Sequence, residues 1–339
     1  MRLATFGEIM LRLQPPGHLR FVQTDTYEAV FGGGEANVAV SLANYGLDVD
    51  FITKLPKHEI GQAAVNQVRR YGVNTDKIVR GGDRVGIYYC EKGASQRASK
   101  VIYDRAHAAI AEADREDFDW DTLLADVDWL HFTGITPALG PKVALITKDC
   151  LEACQAKGIT VSCDLNYRKN LWTKEEAKKT MTELMPYVNV LIANEEDAAD
   201  TFGIHASEVD VTSGDLDRAA YIDVAHQLKE KFGFDKVAIT LRTSISASRN
   251  LWSGLLYDGE QECFAPQYDM TIVDRVGGGD SFCGGLIYAL ATGKDTQSAV
   301  NFAVAASCLK HTIEGDFNMM SVSEVEHLAD GDASGRVQR

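Results

Sequence analysis

Thr271-Ile272-Val273-Asp274-Arg275-Val276-Gly277-Gly278-Gly279-Asp280-Ser281-Phe282 is the stretch from which the rest of the chain is best read. It has the pattern of a strand end, a three-glycine turn, and an aspartate that opens a helix continuing through Cys283-Gly284-Gly285-Leu286-Ile287-Tyr288-Ala289-Leu290. Consecutive glycines let the backbone turn sharply and leave its N–H groups uncovered. A helix N-terminus adds the positive end of a dipole, so the site suits phosphate or developing negative charge. Asp280 beside it supplies a base. A base together with N–H donors is what moving a phosphoryl group onto a hydroxyl requires. The same residues also fit an N-cap aspartate after a flexible turn, and the choice between the two falls to the remaining sequence.

Outward from this turn the chain alternates short apolar runs with helical patterns. Strands are expected at Arg2–Phe6, Glu8–Gln14 (half-exposed, by its alternation from Ile9), Val49–Thr53, Asp128–Phe132, Thr160–Asp164, Val188–Ala193 and Lys236–Leu241. Helices are expected after the glycine turn at 32–34 and at Gly61–Tyr71, Lys142–Lys157, Lys174–Met185, Glu195–Phe202, Asp217–Phe232, Asp280–Thr292 and Thr296–Leu309. This rhythm predicts an α/β fold, a mostly parallel sheet with helices on both faces. Val85–Cys90 and Lys100–Arg105 break it, two strand patterns joined by a polar loop, as do Leu251–Tyr257 and Glu262–Pro266. The first pair predicts a small antiparallel β lid, built from about residues 9–30 and 84–105. One domain is expected over 1–329, with 330–339 a disordered tail.

With 339 residues and 45% apolar content, the chain can bury a large core. A net charge of −15 argues against nucleic-acid or anionic-membrane partners. Seven scattered cysteines without a Cys-x-x-Cys suggest neither a zinc site nor a disulfide framework. The first residues lack the apolar core of a signal peptide, and no run is long enough to span a bilayer, so a cytoplasmic location is expected.

Two common nucleotide signatures are missing. Gly-x-Gly-x-x-Gly fails at both triple-glycine turns, where Asn37 and Phe282 stand in the last position, and no Gly-x-x-x-x-Gly-Lys-Ser/Thr occurs. Dehydrogenase and P-loop chemistry are thereby disfavoured. Present instead are Gly32-Gly33-x-x-x-Asn37 early and Asp274-x-x-Gly277-Gly278-Gly279-Asp280 late. In this order, with a lid-like insertion between them, they resemble the ribokinase-like (PfkB) sugar kinases from about Leu3 to about Asn318. The resemblance implies a three-layer α/β/α fold and an ATP- and Mg²⁺-dependent kinase. In it Asp280 is the catalytic base, Gly277, Gly278 and Gly279 form the anion hole, and Gly33, Gly34 and Asn37 contact the sugar.

Asp164-Leu165-Asn166-Tyr167-Arg168 at a strand end, Tyr103-Asp104-Arg105 at the end of the hairpin, and Tyr89 look like the 2-keto-3-deoxygluconate kinases within that family. The chemistry agrees, because arginine binds a sugar acid's carboxylate with a matched pair of N–H donors. Arg105 and Arg168 are read as its ligands, with Tyr89 and Tyr103 beside them. A surface position for Arg168 and simple lid packing for the tyrosines are the competing readings. Asn194-Glu195-Glu196-Asp197 resembles the family's Asn-x-x-Glu motif, which leaves Asp197 or Glu196 to organise Mg²⁺ through water. Leu241, Arg242 and Ser246 fall where the family contacts ATP, and Asn301 and Ala305 where it builds an adenine wall, although core packing explains the last two equally. Asp316 falls at a substrate-side aspartate. Arg12 stands in a segment where kinases of neutral sugars carry an aspartate, which counts against ribose or fructose. Val276, in place of a frequent threonine, leaves a monovalent-cation site open. The resemblance further implies a homodimer or higher homo-oligomer. The rival readings are a fructokinase- or ribokinase-type enzyme, a kinase of a related sugar acid, and a non-catalytic sugar or nucleotide sensor.

Overall fold

The computed structural model describes residues 1–206, 216–332 and 335, so most of the expected tail lies outside the described residues. Its strands are β1 (Arg2–Phe6), β2 (Met10–Gln14), β3 (Glu28–Gly32), β4 (Asp48–Leu55), β5 (Ile78–Arg80), β6 (Ile87–Glu91), β7 (Lys100–Asp104), β8 (Trp129–Thr133), β9 (Thr160–Asp164), β10 (Val190–Asn194), β11 (Lys236–Ser246), β12 (Arg249–Tyr257), β13 (Glu262–Phe264) and β14 (Tyr268–Thr271). The helices are α1 (Gly34–Asn44), α2 (Glu59–Arg69), α3 (Trp120–Leu123), α4 (Ile135–Ala138), α5 (Pro141–Lys157), α6 (Lys174–Leu184), α7 (Glu195–Phe202), α8 (Leu216–Phe232), α9 (Gly278–Ala291), α10 (Thr296–Lys310) and α11 (Val322–Ala329).

The main sheet runs β13-β12-β11-β10-β9-β8-β1-β4-β5. It is parallel from β11 to β5 and antiparallel at the β11–β12–β13 edge, where β14 also pairs with β12. Because strand side chains alternate between faces, neighbouring residues enter different cores. Val190 and Ile192 join the one built with α1, α9 and α10, while Leu191 and Ala193 join the one built with α5, α6 and α8. The three-layer expectation is met. Among the described residues no helix is long and apolar enough to cross a membrane, and all seven cysteines are free and buried.

A second sheet, β3-β2-β6-β7, forms the lid. Its outer pairs are antiparallel, while β2 and β6 at its centre are parallel, since body elements intervene between them in the chain. The alternation of β2 is inverted relative to a half-exposed strand on a hydrophobic core. Arg12 and Gln14 are buried, and Leu11 and Leu13 are only partly so. The inward face of the lid meets a polar site rather than an oily core.

The glycine turn is tighter than its sequence suggests. Gly277 alone takes a left-handed conformation (φ +79°) and serves as the N-cap, and Gly278, Gly279 and Asp280 already form the first turn of α9. A side chain at Gly277 would lie 2.0 Å from the Asp316 carbonyl oxygen. The short elements β3, β5, α3, α4 and α11 were not among those expected, and β11 continues past Leu241 because its antiparallel partner β12 supplies the hydrogen bonds for exposed polar residues.

Candidate active site

The carboxyl ends of β9, β10 and β11, the starts of α1 and α9, and the inner face of the lid enclose a cleft of about 1190 Å³. This is where an open α/β sheet places its ligands. It is lined by Gly33, Gly34, Asn37, Tyr103, Arg105, Arg168, Asn194, Glu196, Asp197, Arg242, Gly277, Gly278, Gly279, Asp280 and Asp316 among the residues expected from the sequence.

Asp280 lies at the centre. Its carboxylate accepts a 2.6 Å hydrogen bond from Asn37 Nδ2, across 243 residues of sequence. The Asn37 amide is oriented in turn by the Gly33 N–H, which donates to Oδ1 at 3.2 Å. Burial pushes the Asp280 pKa up to about 6, opposed by the Asn37 hydrogen bond and the charge of Arg168. A carboxylate so placed is ionised at neutral pH yet more basic than one in water. Asn37 thus orients the candidate base, a role distinct from the sugar contact expected of it from the sequence. The N–H groups in the first turn of a helix have no partner within it, and Gly279, which a Cβ would leave free of any contact within 4 Å, opens directly onto the cleft. The Gly278 N–H instead turns back to the Arg275 carbonyl at 3.3 Å, and the Gly278 carbonyl accepts from Ser307 Oγ at 2.7 Å.

Two more carboxylates stand close by. Asp164, at the end of β9, is pushed up to about 8 by burial and by its neighbours Asp197 and Asp280. Asp197 is pushed up to about 6, mainly by burial, with Arg168 opposing. Asn194 caps α7 by accepting from the Asp197 N–H at 2.7 Å, and its Nδ2 donates to the Asp197 carboxylate at 2.9 Å. The Tyr167 N–H donates to the same carboxylate at 3.2 Å. Glu196 is exposed along the cleft wall. Asn166, with a left-handed φ of +39°, swings the chain from β9 so that Asp164 and Arg168 face one space. Mutually repelling carboxylates are relieved by a cation, so the donor set suits Mg²⁺ bound through water, although no cluster of three acidic, His or Cys ligands is preformed among the described residues.

The lid closes the opposite wall. Arg12, fully buried, donates to Asp316 Oδ1 and to Asp274 Oδ2, both at 2.7 Å. The Tyr88 hydroxyl donates to the other Asp316 oxygen. Asp316 is therefore an anchor between lid and glycine turn, with both oxygens engaged. Arg105 donates through Nε at 3.0 Å and through Nη2 to the buried Glu8, and its guanidinium lies 5.3 Å from the centre of the Tyr103 ring. Among the described residues, the one hydrogen bond of Arg168 is a 3.4 Å contact to its neighbour's carbonyl. Arg168 is available to a ligand; Arg105 is held in position by Glu8.

Five expected residues do not line the cleft. Tyr89 points to the other face of the lid, packing edge-on against Phe21 and Tyr27; strand parity gives the inward place to Tyr88. Leu241 is off the lining for the same reason, while Thr240 and Arg242 face in. Ser246 sits at the hairpin tip, where its Oγ accepts from the Ser248 N–H at 3.2 Å. Ala305 is fully buried in the core, where packing explains it, and Asn301 accepts from Gln297 on its own helix at 2.8 Å. Trp252, Thr240 and Arg275 line the cleft instead.

A sequence model of the pfkB family carbohydrate kinases matches residues 2–321. The 2-dehydro-3-deoxygalactonokinase of Haloferax volcanii is 32% identical over 98% of both chains. The 2-dehydro-3-deoxygluconokinase of Thermoproteus tenax is 25% identical over 96% of this chain and 93% of that protein. The crystal structure of the Thermotoga maritima 2-dehydro-3-deoxygluconokinase is similar with a TM-score of 0.94 and 55% identity, covering 98% of each chain.

Proposed function

The chain belongs to the pfkB family of carbohydrate kinases, and from that premise we propose that it transfers the γ-phosphoryl group of ATP to the terminal hydroxyl of 2-keto-3-deoxygluconate, giving the 6-phosphate. The observation that carries the reading is the convergence on one cleft of a buried carboxylate, Asp280, a helix N-terminus opened by Gly277, and the exposed guanidinium of Arg168. Asp280 takes the hydroxyl proton as the oxygen attacks. The N–H groups of the glycine turn receive charge from the transferring group, which needs positioning and neutralisation more than covalent help. Asp197 or Glu196 would hold Mg²⁺ through water, and the ion would supply further neutralisation of the phosphates. Arg242 faces the phosphate side. Arg168 takes the substrate carboxylate, with Arg105 fixed by Glu8 at the lid side and Tyr103 and Tyr88 beside it.

The identity to the Thermotoga protein supports the gluconate compound over its C4 epimer, while the name of the Haloferax relative favours the galactonate one. A coupled assay for ADP release over 2-keto-3-deoxygluconate, 2-keto-3-deoxygalactonate, 5-keto-2-deoxygluconate, fructose and ribose tests the assignment. The highest kcat/KM belongs to 2-keto-3-deoxygluconate; a higher value for fructose or ribose refutes the carboxylate reading. The lid face that carries Tyr89 exposes Tyr27 and Ile102, an apolar surface that supports pairing of two copies.

A further inference from the structure

A monovalent cation beside the Asp274–Gly277 turn is among the properties the family resemblance carries, and the residues present do not fit it. The acceptors of this turn are already taken by positive groups of the chain itself. Lys310, the last residue of α10, is fully buried and its Nζ lies 3.3 Å from the Asp274 carbonyl oxygen. The Asp274 carboxylate accepts from Arg12 Nη2 at 2.7 Å, from the Gly315 N–H at 3.2 Å and from the Val276 N–H at 3.1 Å. The second arm of Arg12 is on Asp316. The His311 carbonyl is used by the N–H groups of Val273 and Asp274 at 2.8 and 3.3 Å. Two cations and two anions thus form a buried set of zero net charge directly behind the glycine turn. His311 adds no charge, because burial pushes its pKa down to about 4. An additional metal ion would leave an uncompensated positive charge in this interior, at high desolvation cost.

We propose that Lys310, together with Arg12, is a built-in cation of the anion hole, whose ammonium holds the Asp274 carbonyl and the glycine turn in place, so that the enzyme neither binds nor needs a monovalent cation. Lys310 touches no reacting atom in this account; it is a positioning residue. Burial lowers its pKa while Asp274, Asp316 and Asp280 hold it up, so its charge is tied to theirs. The kinetic arm of the test rests on the kinase reading; the crystallographic arm does not.

In the kinetic arm, turnover is measured in buffers where K⁺ and Na⁺ are replaced by tetramethylammonium. The wild-type rate changes by less than about 2-fold, whereas Lys310→Met loses on the order of 100-fold, the effect of disturbing an anion-hole donor, and K⁺ or ammonium restores part of it. In the crystallographic arm, wild-type and Lys310→Met crystals grown in rubidium chloride are compared by anomalous scattering. No peak stands beside Asp274 in the wild type and one appears in the variant. Strong activation of the wild type by K⁺, a rubidium peak beside its Asp274, or full turnover of a folded Lys310→Met without added cation overturns the proposal. If Lys310→Met does not fold, Lys310→Gln replaces it, and the two wild-type measurements decide the matter without either variant. A kinase inactive on every sugar tested still yields the rubidium result, which separates failure of this proposal from failure of the activity assignment.

Discussion

The Asn37→Leu substitution separates two roles for one side chain. In the structure Asn37 Nδ2 donates a 2.6 Å hydrogen bond to Asp280, whose pKa stands at about 6. A hydrogen bond to a charged group contributes roughly 1.5–3 kcal/mol, and about 1.4 kcal/mol corresponds to one pKa unit. Leucine fills similar space without a donor, so the ionised form loses that stabilisation and the base pKa rises by about 1–2 units. The sign follows directly. Asp280 must be ionised to accept a proton, so activity is present above its pKa and lost as pH falls through it. The acid limb of the kcat/KM profile, near pH 6 in the wild type, moves to about pH 7–8. At pH 6 the variant is slower by roughly 5- to 50-fold, and at pH 9 by less than about 2-fold. The assay is initial rate of ADP release between pH 5 and 9. A uniform loss at every pH, with the limb unmoved, would refute the orienting role and return Asn37 to the sugar alone.

Two further comparisons probe the wall opposite. Arg168→Leu raises KM for the sugar acid without changing the thermal midpoint, while Arg105→Leu raises KM and also costs about 3 kcal/mol of stability, because Glu8 is left buried without its partner; equal thermal effects of the two substitutions would contradict the assignment. Asp164→Asn stabilises the free protein, since the folded pKa of about 8 lies far above the ordinary value of 3.8. The stability tied to Asp164 is complete below the ordinary carboxylate range and is lost as pH rises through about 8, so the gain, on the order of a few kcal/mol, grows from pH 6 to pH 9 in differential scanning fluorimetry, and a gain that shrinks with pH would be contrary.

Much of the architecture could be read before the structure because its signals are local. Buried parallel strands are short apolar runs, and the chain leaves α1 and α2 through left-handed Gly46 and Gly72. The place of Asp280 in the cleft was legible as well, since an aspartate after a glycine turn is a local pattern. What failed depended on parity and on distant partners. Tyr88 and Tyr89 are adjacent and chemically alike, and only the orientation of β6 against the body gives the cleft to one of them. Arg12 stood out only as a residue at odds with neutral-sugar kinases, not as an anchor, because its two aspartate partners are 262 and 304 residues away. Glu8 was passed over because nothing near it in sequence announces Arg105. Ser246, Asn301 and Ala305 rested on position alone, without a physical reason for those side chains to meet a nucleotide, and none of them lines the cleft.

The most direct measurement is the conversion of 2-keto-3-deoxygluconate and ATP to a phosphorylated sugar acid by wild type and Asp280→Asn, followed by ³¹P NMR and mass spectrometry, with ATP affinity measured separately by calorimetry. With Asp280 as the base of a sugar-acid kinase, the wild type yields a 6-phosphate product and the variant loses turnover on the order of 10³-fold or more with ATP binding retained. Turnover by Asp280→Asn within about 10-fold of wild type, or phosphorylation of neutral sugars in preference to the sugar acid, would contradict it.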